Sequence, residues 1–204
     1  QDELHYDSIY HEHLFYFTLK TITNLFKKYN LHAFDVDKSP ISGGSLVLYF
    51  SKTKIPLSKN LNNLVKKEKL NKINQFNSWK NFANKSKNHA KQFKIAVKKL
   101  NVKKKIIGYG ASARSSTLLN FSGINSNFMS NVIDKNKLKK NKYTPGSGIK
   151  IKDYDDVIKN ISKFDTIIIL AWNFKKEIIE DLKKNGFQGN FLLPLPNQIK
   201  TYEN

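Results

Sequence analysis

Lys105-Ile106-Ile107-Gly108-Tyr109-Gly110-Ala111-Ser112-Ala113-Arg114 runs from an apolar stretch through a glycine turn toward a candidate helix over residues 115–121. Strand, glycine turn and helix together form the opening unit of a nucleotide-binding α/β layer. Gly108 and Gly110 allow the backbone to approach a phosphate closely. The third glycine of the dinucleotide fingerprint would fall at position 113, where the tolerated variant Ala113 stands. At the head of the helix, backbone N–H groups and the helix dipole favour an anion. Ala111, Ser112 and Arg114 therefore join the two glycines as candidate binding residues.

Arg114 is distinctive by composition. The chain has 36 basic residues, and all but this one are lysine. Lysine is a compact point charge, whereas the planar arginine fork grips phosphate or carboxylate with two parallel bonds. A lone guanidinium at a glycine turn therefore predicts an anion partner.

Outward from the loop, strand and helix alternate. Residues 128–133 read as a strand ending at Asp134. A turn follows at Tyr143-Thr144-Pro145-Gly146, then an extended piece at 149–151 and a short helix over 154–160. Residues 164–170 form an Ile-rich buried strand, 174–185 a helix stopped by Gly186, and 191–193 a last strand. This order predicts an α/β fold: a Rossmann-like, mostly parallel sheet over residues 103–204. Ligands of such sheets sit beyond the carboxyl ends of the strands, where Arg114, Asp134, Trp172 and Asn173 would converge. Asp134 follows Gly110 by about 24 residues, close to where an acidic residue meets a ribose hydroxyl.

Upstream the texture changes. Residues 58–100 carry apolar side chains at three- and four-residue steps on a Lys-rich background, which predicts helix with a break near Asn71 or Ser78. Thr18 caps a helix through Ile22, Leu25 and Phe26. Residues 34–37 and 46–50 read as strands separated by Pro40 and the turn Ser42-Gly43-Gly44-Ser45. The expected organisation is a catalytic-core tail over 1–54, a helical connector over 55–102 and the sheet domain over 103–204.

The totals limit the function classes. The chain has 204 residues, 39% hydrophobic, enough for a real core. Zero cysteines exclude disulfides, thiolate zinc sites and cysteine nucleophiles, and fit a reducing, cytoplasmic setting. The apolar runs are too short to span a bilayer. The net charge of +20 is spread as lysine among many Asn and Ile residues, without the arginine forks a nucleic-acid surface uses, so neither nucleic acid nor membrane is the expected partner. Position 1 is Gln, so the chain reads as processed or cut from something longer.

The second chemistry-bearing cluster is Tyr10-His11-Glu12-His13. Four consecutive residues can move or orient protons. Imidazole titrates near neutrality and suits general-base work, and an adjacent carboxylate can fix its tautomer. His11 and His13 lack a third and fourth metal ligand, and no metal is expected. His5, His32 and His89 show no partner legible in the sequence. These residues leave open general-base chemistry, a non-catalytic nucleotide or NAD module, and a basic scaffold.

Taken together, the two clusters resemble a known family. Asp7-Ser8-Ile9-Tyr10-His11-Glu12-His13-Leu14 and Ser42-Gly43-Gly44-Ser45-Leu46 are similar to the central segment of sugar-nucleotide C-methyltransferases. The segment from Gly108 to Arg114, then Thr117-Leu118-Leu119-Asn120-Phe121, Asp134, Tyr143-Thr144-Pro145-Gly146 and Leu170-Ala171-Trp172-Asn173 continue the likeness in order. The resemblance implies transfer of a methyl group from S-adenosylmethionine to a ring carbon beside the keto group of a nucleotide-activated deoxysugar, through an enolate. It assigns the base to His13, proton transfer or enolate stabilisation to Tyr10, and orientation of the sugar or imidazole to Glu12, with His11 beside them. It gives the sugar-nucleotide contacts to the sheet domain, with Ser42 and Gly43 contributing. Relatives usually carry an N-terminal Cys-based zinc module and an adenosylmethionine domain. The chain therefore looks like the back half of such an enzyme, with the methyl donor held by an upstream domain or chain and no cofactor expected here. Ser42 stands where relatives often have His, Val47 where they often have Arg, and Arg114 replaces a frequent Lys.

Overall fold

A computed structural model describes residues 3–203, except for the side chain of Ser42. The chain forms two compact units. One comprises the stretch ending at His13 together with everything from Asn84 onward; the other runs from Leu14 to Ala83. These limits cut the chain elsewhere than the 1–54, 55–102 and 103–204 expected from texture. The apolar steps that suggested one connector are shared between the units.

In the smaller unit, helix α1 (Leu19–Lys27) starts at Thr18, whose hydroxyl accepts the Thr21 amide while the Thr21 hydroxyl accepts the Thr18 amide. Strands β1 (His32–Ser39) and β2 (Ser45–Ser51) pair antiparallel, with a bulge between Ala33 and Asp35. Helix α2 (Lys59–Leu70) is capped by Ser58. The break sits at residues 71–75, where Lys72 takes a left-handed φ of 51°. Helix α3 (Phe76–Lys103) begins in this unit, and its residues from Asn84 belong to the other.

The larger unit is built on a six-stranded sheet, ordered β5-β4-β3-β6-β7-β8. Its strands are β3 (Ile106–Tyr109), β4 (Asn131–Asp134), β5 (Lys150–Asp153), β6 (Thr166–Ile169), β7 (Asn190–Leu193) and β8 (Lys200–Tyr202). All neighbouring pairs are parallel except β7 with β8. This is the mixed α/β, Rossmann-like sheet that the alternating pattern predicts. Every residue of β3 and β6 is buried, as expected of parallel strands covered on both faces. Ile107, Tyr109, Ile133, Ile167, Ile169, Phe191 and Leu193 cluster with Val157 of helix α5 (Tyr154–Ile158) and with Ile178 and Leu182 of helix α6 (Lys175–Lys184). Phe93 and Val97 of α3 are also fully buried, as are Leu118 and Leu119 of helix α4 (Ala113–Ser122). Strand β8 has no sequence signal: all three of its residues are exposed on the sheet edge.

The chain runs β3-β4-β5 toward one edge and β6-β7-β8 toward the other. The order reverses between β3 and β6, and the crevice beyond their carboxyl ends is the natural ligand position of the fold. The loops entering α4 and following β6 meet there.

Candidate functional site

Two loops flank the crevice tightly. Gly110 has φ of +98°, and a Cβ at this position would come within 2.6 Å of Ala171 Cβ. Position 110 therefore requires glycine for backbone conformation and for close approach to the β6 loop. Gly108 has a different role. It lies inside β3, where a Cβ would meet Val132 Cγ2 at 2.9 Å and Met129 Cε at 3.0 Å. Its missing side chain makes room for core atoms.

Ser112 caps α4 by accepting the Ser115 amide. Ala111 donates its amide to Asp134 Oδ2 at 2.8 Å. Asp134 also accepts the Asn136 amide and the Lys139 ammonium. Burial acts to raise the Asp134 pKa, but these three donors outweigh it and hold the carboxyl below its ordinary value. Asp134 thus ties the glycine turn to the end of β4.

Arg114 has its carboxylate, and it is the chain's own. Nε and Nη2 donate to the two oxygens of Asp7 at 2.9 and 3.0 Å, the bidentate fork the sequence predicts. Trp172 Nε1 donates to Asp7 Oδ2 at 2.8 Å, and the Arg114 guanidinium lies 4.7 Å from the Trp172 ring centroid. Asp7 is 1% exposed. Arg114 and Trp172, expected from the sequence at a ligand, thus meet on one side chain of the chain itself. Both are held by an aspartate 107 and 165 residues away in sequence. Asn173 follows in the short 3-10 turn Trp172–Phe174, half-buried.

This aspartate lies in the 3-10 turn Tyr6–Ser8, directly before the proton-handling cluster. Tyr6 is buried beside it and donates its hydroxyl to His89 Nδ1 at 2.9 Å. His89 Nε2 donates to the Pro194 carbonyl at 2.6 Å. A carbonyl can only accept, so neutral His89 carries its proton on Nε2 and receives Tyr6 at Nδ1. Burial lowers the His89 pKa, and the same cause lowers that of His5, whose ring packs 4.7 Å from Trp172. Thus His5 and His89, without legible partners in sequence, both have them in the fold.

Beyond this anchor the chain turns outward. His13 Nδ1 donates to the Ser8 carbonyl at 2.8 Å, and the Tyr10 ring lies 4.1 Å from the His13 ring. His11 and Glu12 are exposed and within 4.0 Å of each other. The fold therefore brings Tyr10, His11, Glu12 and His13 into the same unit as the glycine turn, tied to it through Asp7. Gly43, with φ of 83°, belongs to the smaller unit, and the Ser42 side chain lies outside the described residues. Among the described residues, no group of three or more His, Asp or Glu could hold a metal ion. None of their helices is long and apolar enough to cross a membrane. An open cavity of about 800 Å³ lies in the smaller unit, lined by Leu19, Ala33, Leu61 and Val65 among others, and none of the candidate site residues lines it.

Asp7 has no role legible in the motif spacing alone. One signal did point there: a lone planar fork calls for a planar acceptor, and Asp7 is the carboxylate nearest the Tyr10–His13 cluster on its N-terminal side.

Comparison with known proteins gives the family. The family described as the C-methyltransferase C-terminal domain matches residues 40–196, and the chain belongs to it. It is also similar to the C-methyltransferase NovU of Streptomyces niveus, at 28% identity over 197 residues, covering 94% of this chain and 46% of the relative. The chain thus spans about half the length of that curated relative.

Proposed function

We propose that this chain is the C-terminal portion of an S-adenosylmethionine-dependent C-methyltransferase acting on a nucleotide-activated keto-deoxysugar in the cytoplasm. The observation that carries the reading is the posture of His13. Its Nδ1–H is committed to the Ser8 carbonyl, so the neutral ring carries its lone pair on Nε2. A histidine held in one tautomer is a base aimed in one direction. A proton beside a ketone is weakly acidic, so its removal needs a base together with stabilisation of the developing oxyanion. His13 takes that proton at Nε2. Tyr10, whose ring lies tilted against it, donates its hydroxyl to the enolate oxygen. Glu12 and His11 orient the sugar.

The glycine turn does not fit adenosylmethionine. Ala171 abuts Gly110, the Ala111 amide is bonded to Asp134, and Arg114 is bonded to Asp7. The methyl donor is therefore assigned to an upstream domain or partner chain. The same engagement of Asp134 weighs against the alternative of a non-catalytic NAD module.

Proton abstraction needs no methyl donor, which gives a direct test. The chain is incubated in D2O with a dTDP-4-keto-deoxysugar, and NMR follows loss of the proton beside the keto group. Exchange is expected. It should vanish in His13→Gln and slow by about 100-fold in Tyr10→Phe. If there is no exchange and the sugar nucleotide does not raise the melting temperature, the reading fails. A rise with NAD alone would favour the nucleotide module.

A further inference from the structure

We infer that Asp7 is a positioning residue for the reaction. It sets the place and tautomer of His13, and Arg114 and Trp172 serve by holding Asp7 rather than by touching substrate. This rests on the reading of His13 as the base.

The chain of contacts is short. Three N–H donors converge on one buried carboxylate: Arg114 Nε and Nη2, and Trp172 Nε1. Arg114 stands at the start of α4, after β3, and Trp172 follows β6. Asp7 is thereby fixed to the carboxyl ends of the two central strands at the crevice where the strand order reverses. On its other side Tyr6 is buried and bonded to His89. The next residue, Ser8, supplies the carbonyl that receives His13 Nδ1 at 2.8 Å and the Tyr10 amide at 3.2 Å. One peptide unit and one hydrogen bond separate the anchored carboxylate from the proposed base. The carbonyl admits only a protonated Nδ1, so its placement decides which nitrogen of His13 carries the lone pair.

A carboxylate is required at position 7 for a definite reason. The guanidinium and the indole offer three donors, which two anionic oxygens can accept together. An asparagine there would turn an NH2 group toward the guanidinium or the indole. The turn would shift, Ser8 would lose its alignment, and both His13 tautomers would become accessible. A role in stability alone would leave the tautomer unchanged once the variant had folded.

The test uses the full chain labelled with ¹⁵N-histidine. In the wild type, imidazole ¹⁵N shifts should show His13 with the proton on Nδ1. Asp7→Asn should give a mixture of tautomers, and Arg114→Lys, which keeps the charge but loses the fork, should give a smaller departure. In the D2O exchange assay, Asp7→Asn should lower the maximal rate by about 100-fold while leaving half-saturation in the sugar nucleotide unchanged, the signature of a displaced catalytic group. If Asp7→Asn does not fold, Trp172→Phe, which removes one donor, and Arg114→Lys carry the test. A folded variant with the wild-type tautomer and the wild-type exchange rate overturns the inference. A tautomer that changes in a chain whose wild type shows no exchange leaves the positioning role standing and removes the catalytic reading of His13.

Discussion

The two units handle their apolar residues differently. In the larger one, Ile107, Ile133, Ile167, Ile169 and Leu182 are completely buried, and sheet and helices cover one another. In the smaller one, the buried cluster is Leu19, Val36 and Leu61, while Leu14, Phe15, Ile41, Leu70 and Phe76 are each at least 70% exposed. The difference follows from architecture. A parallel sheet with helices on both faces consumes long runs of branched side chains, whereas a two-stranded antiparallel pair has little area to bury and depends on whatever packs against it. The lesson is where precision can be stored. The glycine turn and the proton-handling segment are attached to the well-packed unit, through a buried ion pair that needs a rigid surround.

Breaking that attachment should have the largest effect. Arg114→Ala leaves the Asp7 carboxylate buried without its guanidinium, and a loss of about 3–5 kcal/mol is expected in chemical denaturation. A loss under about 1 kcal/mol would mean the pair is more solvated than its geometry indicates. The units themselves can be compared with two truncations of similar chemistry. Ile167→Ala in β6 should cost about 2–5 kcal/mol, because the site is closed on all sides. Leu70→Ala, at 80% exposure, should stay within about 0.5 kcal/mol. Equal costs would erase the contrast.

The smallest effect is expected from pH, through the larger unit. Burial lowers the pKa of His89 below its ordinary 6.5, so the unfolded chain binds this proton more readily than the folded one. Stability should therefore rise with pH through the window between the lowered folded value and 6.5, level off above it, and fall as the solution is acidified through it. His5 acts in the same direction. Melting temperatures across this range should show the slope, and His89→Gln should make it shallower. An unchanged slope would assign it to other groups.

Much of the fold was legible because its signals are local. Thr18 marks a helix start within three residues of the amide it caps, and the Ile-rich run at 166–169 announces a buried strand. The glycine turn, too, was legible as a strand-to-helix joint. Strand β8 escaped because exposed edge residues have no pattern to read. The packing constraint on Gly108 was not legible because Val132 and Met129 come from another segment.

The amino-acid order alone determined the alternating sheet domain, the solitary guanidinium and its preference for a carboxylate or phosphate, since propensity, periodicity and side-chain chemistry act over a few residues. Only the tertiary structure decided that the guanidinium's acid is Asp7, that Trp172 shares it, and that Ser8 fixes the His13 proton. Those partners stand up to 165 residues apart, and nothing in a linear spacing brings them together. Their meeting depends on where the strand order reverses, which is a property of the assembled sheet.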